Sequence, residues 1–343
     1  MTALAAAPNP SIRPIPWPRL GWVAWRQHRS TLVGAVALLA VIGLYLLIDG
    51  LRMRASYDAF LACTPANSPA CQLAWQSFHD SFGSSGLIGV ILMLLPGIIG
   101  AFAGAPILAR ELETGTFRYA WTQGAGRMRW ATSELVTGAV GVAVLLAAFG
   151  TLVSWYNQPL VAAGIMPRLR ATVFPATGVA APGWALAGFA LGVLAGLLWR
   201  RVLPALASAC AAWFALAFLA GGLLRQNYLS PMTTTSLQLS NTDLTVGQWW
   251  TRGGLPVSNA EINSTLQAVG THLDGSTSAS VAHVGSAVDP VQYLLRHGYQ
   301  QVTSYQPDSR YWPFQWIEFG WVAALSLLLL GATLWLLRRR SAR

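Results

Sequence analysis

The chain has 343 residues, 54% hydrophobic and 10% charged, with a mean hydropathy of +0.47, so lipid rather than water is the solvent for much of it. Its 22 basic residues are all arginine, set against 12 acids for a formal net charge of +10. Without a lysine there is no P-loop, no protein-kinase nucleotide site and no pyridoxal Schiff base, and arginines that flank apolar runs record membrane orientation rather than a nucleic-acid face.

A span needs about 20 apolar residues to cross about 30 Å of hydrocarbon, and the gaps between charges predict six: 30–48, 86–108, 135–155, 183–199, 202–224 and 319–337. The Arg200-Arg201 pair divides the fourth from the fifth as a helical hairpin. With the N-terminus inside, 14 arginines fall on the cytoplasmic side and 8 on the other, four of these 8 in or beside one long loop, so the positive-inside rule places both termini in the cytoplasm. The first thirty residues have no apolar core and are no cleavable signal peptide. The expected fold is an all-α polytopic membrane protein of six helices in the cell membrane. Residues 1–30 form a cytoplasmic segment, 31–224 hold helices one to five, 225–313 are a small extracytoplasmic domain, 314–337 hold the last helix, and 338–343 are a cytoplasmic tail.

In the first external loop, Cys63 and Cys71 frame a proline-containing run suited to a disulfide-closed turn on an oxidising side. Cys210, inside the fifth span, reads as a packing residue. Within 225–313, Ser258 and Glu261 make a capping box that predicts a helix over 259–272. Asp289-Pro290 and Gly298 frame a second short helix over 291–297, and 299–305 alternates as a strand. Tyr311, Trp312, Phe314 and Trp316 read as an interfacial belt.

The span centres carry no charge; Asp49, Glu134 and Glu318 fall at span ends, where they are expected to reach water. An intramembrane proton relay is therefore disfavoured. There is no HExxH, no GxSxG, and no pair of histidines at metal-ligand spacing, so no catalytic or metal site is expected. Gly100 and Gly104 are four apart, as are Gly188, Gly192 and Gly196, which favours close helix packing. Pro96, Gly97 and Pro106 allow the second span to bend.

The loop between spans two and three is the most specific part of the chain. Glu111 and Glu113 extend the second span out of the membrane, and Gly115 is placed to end that helix. Thr116 opens a short amphipathic stretch carrying Arg118, Tyr119 and Trp121, and Arg127, Met128, Arg129 and Trp130 lead into span three. An interfacial helix explains the arginines and Trp121 but not the paired acids before Gly-Thr.

This run, Glu111-Leu-Glu113-Thr-Gly115-Thr116, together with Arg127-Met-Arg129-Trp130 and the late segment Tyr305 to Gly320, resembles the permease subunits of ABC-2 type exporters, especially the alanine- and arginine-rich versions of actinobacteria. The resemblance implies a transport subunit, not an enzyme, with residues 109–131 as the coupling segment that docks on a separate ATPase. Glu111, Glu113, Gly115, Thr116, Arg118, Arg127 and Arg129 would make that contact. This chain would hold no cofactor; ATP and magnesium would sit on two ATPase subunits, and a second permease chain, identical or different, would complete the assembly in membrane lipid. An amphipathic or hydrophobic substrate suits the uncharged bundle. The alternative is a sensor or assembly scaffold whose external domain binds a ligand.

If the arginine distribution sets the topology, a single cysteine introduced at Ser276 will react with an impermeant thiol reagent added from outside; labelling only from the inside contradicts the assignment.

Overall fold

The computed structural model describes residues 17–65, 68–83, 86–115, 127–267 and 289–339. Six of its helices are long and apolar enough to cross a membrane, so the protein is a multi-pass membrane protein. In chain order these are α1 (Trp17–Leu61), α3 (Gly86–Thr114), α4 (Arg127–Ala162), α5 (Ala180–Trp199), α6 (Val202–Leu219) and α9 (Tyr311–Arg339), with α2 (Pro69–Phe82) between the first two. α1 has 45 residues, about 68 Å at the helical rise, and so outruns the hydrocarbon. α3 continues through Pro96 and Pro106 without a break.

The arginines near the ends of α3, α4, α5 and α9 gather at one end of the bundle, around the Arg200-Arg201 link; this is the hairpin end. The opposite end carries a four-stranded antiparallel sheet built from β1 (Met232–Thr234), β2 (Leu244–Arg252), β3 (Leu255–Val257) and β4 (Tyr299–Gln306), in the order β1-β4-β2-β3. The all-α description holds for the bundle, and the sheet is an addition to it: only the β4 segment was expected as a strand. A Gly253-Gly254 turn, with φ of 58° and 83°, joins β2 to β3, as a two-residue hairpin requires. The two expected helices are present as α7 (Asn259–Gln267) and α8 (Pro290–Arg296). The Ser258 hydroxyl accepts from Glu261 N at 3.3 Å, and the Asp289 carboxylate accepts from Val291 N at 2.9 Å. The continuation to residue 272 lies outside the described residues. Trp250, Ile262, Leu266, Leu294 and Tyr299 form the small core of this unit.

Cys63 and Cys71 are joined in a disulfide, Cα atoms 5.6 Å apart. The bond closes the turn between α1 and α2, and α2 lies back on α1 through Tyr57, Phe60, Trp75 and Phe78.

α5 is the most enclosed helix of the six, and its most extensive partner is α3. The two meet backbone to backbone along facing rows of glycine. A Cβ at Gly188 would lie 2.6 Å from the Gly97 carbonyl oxygen, one at Gly192 2.8 Å from Ala105 N, and one at Gly196 2.6 Å from the Ala105 carbonyl oxygen. From the other side, a Cβ at Gly100 or Gly104 would overlap the carbonyl oxygens of Ala185 and Phe189. Gly97 gives its space to the Trp213 ring of α6. Within a bilayer this close approach is the main source of helix cohesion, because lipid tails are as apolar as the side chains.

Gly104→Ala should therefore push α3 from α5 at a cost of about 1–3 kcal/mol, whereas Gly331→Ala, where a Cβ meets nothing within 4 Å, should be neutral or slightly stabilising. Thermal unfolding of the two variants in detergent checks this; equal midpoints contradict it.

Candidate functional site: the hairpin end and a buried charge cluster

At the hairpin end, α3 closes as expected. Gly115 has φ of 72° with nothing within 4 Å of a built Cβ, so its role is conformational: the left-handed turn ends the helix. Two residues earlier, Glu113 Oε2 accepts from Val202 N at 3.3 Å. The carboxylate thus satisfies one of the orphan N–H groups that open α6 and sits at the positive end of that helix's dipole. The link from α5 to α6 is only two residues long, with Arg200 in the left-handed region at φ 54° and Arg201 extended. A groove of about 650 Å³ runs here, lined by Leu112, Glu113, Arg200, Arg201, Leu203 and Pro204. Glu111 is half-buried on the last turns of α3, and Arg129 is half-buried on the first turn of α4, which begins at Arg127. Thr116, Arg118 and the short stretch expected after them lie outside the described residues. The structure brings Glu113 against the hairpin, a contact the spacing did not disclose.

At the sheet end the structure corrects an expectation. Glu318 does not reach water: it is fully buried at 0% exposure, and so is Arg225; at the opposite, hairpin end Glu134 is likewise enclosed, at 1%. Arg225 Nε donates to Glu318 Oε2 at 3.0 Å and Arg225 Nη2 to Oε1 at 2.8 Å. Trp184 Nε1 donates to Oε1 at 2.8 Å and the Tyr228 hydroxyl to Oε2 at 3.0 Å. Each carboxylate oxygen therefore accepts two hydrogen bonds. Trp321 Nε1 donates to the Tyr228 hydroxyl at 2.8 Å, and Trp213 Nε1 to the Trp184 carbonyl at 2.9 Å. The Arg225 guanidinium lies 4.2 Å from the centre of the Phe174 ring. Burial, and behind it the Glu318 charge, push the Tyr228 phenol above its ordinary value, which keeps it a donor.

Asp49, by contrast, is half-buried near a span end as expected and accepts from the Tyr156 hydroxyl at 2.9 Å. Uncharged span centres do not by themselves exclude a proton relay here, because Glu318 and Glu134 are both enclosed. Glu318 is an acid inside the bundle, yet both of its oxygens are fully occupied by donors, so in this conformation it serves as an anchor between helices.

Opposite charges at the same end of neighbouring spans were the available signal. Arg225 closes the fifth apolar run and Glu318 precedes the last, and a six-span topology puts both at one level. Counting distance to the nearest water missed them because α9 begins at Tyr311, seven residues before Glu318, and the π-helical turn Ala220–Leu224 shifts by one residue the face on which Arg225 falls.

Six apolar helices, a glycine-packed pair at the centre and a two-residue link between α5 and α6 define a polytopic membrane bundle. Residues 36–225 match the family described as ABC-2 membrane transporter related, and the chain belongs to that family, a membrane transporter permease. Comparison with curated proteins and with solved structures gives no match.

Glu318→Leu leaves the Arg225 charge buried without a counter-ion and should cost about 3–5 kcal/mol, whereas combining it with Arg225→Met should recover much of the loss. Thermal unfolding in detergent measures both; a double variant no more stable than the single one contradicts the pairing energetics.

Proposed function

We propose that this chain is the transmembrane subunit of an ATP-driven exporter, with the hairpin end in the cytoplasm and the sheet outside. The arginine split supports that orientation. Two copies of a separate ATPase subunit, carrying ATP and magnesium, dock on residues 109–131 of two permease chains through Glu111, Glu113, Gly115, Thr116, Arg118, Arg127 and Arg129. Absence of any lysine means that no P-loop in this chain supplies the energy. The substrate is amphipathic or hydrophobic, in keeping with a bundle whose buried charge pair is internally compensated. Movement follows alternating access: closure of the ATPases presses on the segment after α3 and tilts the helix.

The observation that carries this reading is the Glu113 to Val202 hydrogen bond. It joins the foot of α3 to the α5–α6 hairpin, so a load applied after Gly115 reaches three helices at once. The glycine rows above it keep α3 and α5 together while they move.

Replacing Glu111 and Glu113 by alanine should leave the protein in the membrane at normal levels, because loss of the cap from Glu113 costs about 1 kcal/mol and a charged contact of the half-buried Glu111 near the surface contributes about 0–1 kcal/mol. Substrate-stimulated ATP hydrolysis by the co-purified ATPase should nevertheless fall, since an unpaired charge at a subunit interface costs about 2–5 kcal/mol. Unchanged stimulation, or purification in mild detergent that yields no ATPase when the candidate subunit is co-expressed, overturns the reading.

A further inference from the structure

A second polar feature of the bundle lies apart from both the hairpin end and the Arg225–Glu318 cluster. At the rim on the sheet end, a cavity of about 220 Å³ opens between the start of α3, the end of α4 and the segment that leads to α5. Its walls are apolar: Ile88, Val90 and Leu92 from α3, Val153 from α4, and Met166 and Val173 from the connecting segment. Val90 is 43% exposed, so the cavity reaches the lateral surface of the bundle. Arg170, Asn157 and Thr172 line the same space.

Two of these groups lack protein partners. Asn157 is 7% exposed, yet among the described residues its side-chain amide makes no hydrogen bond. Its amide atoms open onto the cavity and are not sealed in the core, where Arg225 Nη1 is the enclosed side-chain polar atom without a hydrogen bond among the described residues, so the amide is available to a ligand. Arg170 is exposed and pairs with no acid among the described residues, and it is the one charged residue that lines the cavity. Tyr156 contributes its ring, its hydroxyl being engaged by Asp49.

We infer that this cavity binds a single-chain anionic amphiphile, its tail against the α3 and α4 walls and its phosphate-like head on Arg170, Asn157 and Thr172. Three observations select that chemistry. The lone charge is a guanidinium, which pairs with phosphate or carboxylate oxygens in a fork. The volume falls below the range of drug-sized pockets, about 300–1,000 Å³, so the cavity holds only the first part of one narrow tail, the remainder leaving through the lateral opening beside Val90. The polar groups lie where the apolar runs of α3 and α4 end, at the depth of the lipid headgroups. The site stands independently of the direction of transport and of any ATPase.

The test uses the full chain in uncharged detergent, titrated with palmitoyl lysophosphatidylglycerol and read by native mass spectrometry. One saturable adduct per chain is expected. Palmitoyl lysophosphatidylcholine, with the same tail and no net charge, should bind at least about tenfold more weakly, and Arg170→Gln should weaken the anionic ligand by a similar factor, the loss of one charge-assisted hydrogen bond. Gly89→Leu should abolish binding by filling the cavity, since a Cβ there meets only Thr172, at 3.8 Å. Both variants should keep the parent melting temperature without ligand; if Gly89→Leu does not, Asn157→Leu takes its place in the same assay. Equal binding of the two lysolipids, or binding unchanged in Arg170→Gln, overturns the proposal. Glycerol phosphate is the head without the tail, and retention of it as tight as that of the lysolipid reassigns the cavity to a plain anion and likewise overturns it.

Discussion

α3 and α5 touch along rows where no side-chain atom fits between their backbones. In water such a pair would be held by burying apolar surface, but in lipid that driving force is absent between helices, and cohesion comes from dispersion at short range and from polar contacts. Glycine at 100, 104, 188, 192 and 196 is the condition for that approach. α5 becomes the hub as a result: α3 covers one flank, α6 folds back on it through the two-residue hairpin, and α9 packs along another.

The polar contacts concentrate where α9 meets this hub. Gln315 Oε1 accepts from Ala180 N at 2.8 Å and so caps the first turn of α5, doing from another helix what an N-cap residue does from the same one. One turn further along α9, Glu318 takes Trp184 of α5, Arg225 from the end of α6 and Tyr228 beyond it. Desolvating a guanidinium and a carboxylate is expensive; both carboxylate oxygens are saturated and an aromatic face covers the cation, while Arg225 Nη1 stays buried without a hydrogen bond among the described residues. The sheet is then held to the bundle by neighbours of the same residues. Gln306 Nε2 donates to the carbonyls of Gln226 and Leu229, Arg310 Nη1 to that of Ser230 at 2.8 Å, and Arg168 pairs with Asp308 from the α4–α5 connection.

The molecule is thus tied at both ends of α5 and close-packed between them. On the proposed reading, a load entering below Gly115 would pass through Glu113 to the hairpin, along the glycine rows, and arrive at the Arg225–Glu318 cluster beneath the sheet. α1 joins this assembly through α4, near the sheet end by Asp49 to Tyr156 and by Arg54 over the Trp155 ring, and α4 in turn packs on α5, where a Cβ at Gly138 or Gly150 would press on Phe189 or Ala181.

Length, charge spacing and local turn chemistry were enough to read the six spans, the helix end at Gly115, the caps at Ser258 and Asp289, the strand at 299–305 and the Cys63–Cys71 bond. Each depends on residues near one another in the chain. The Gly253-Gly254 hairpin was not among the expected elements, although a two-glycine turn was its signal; the neighbouring short strands carried too weak an alternation to announce a sheet. The glycine spacing foretold close packing, yet not that α3 and α5 would be the partners. Nor could it disclose that Glu113 caps α6, or that Arg225 and Glu318, 93 positions apart, share one buried site. Periodicity and capping are set by nearest neighbours along the backbone, whereas pairing between helices is decided by which faces fit and which polar groups find donors, and that is a property of the assembled bundle alone.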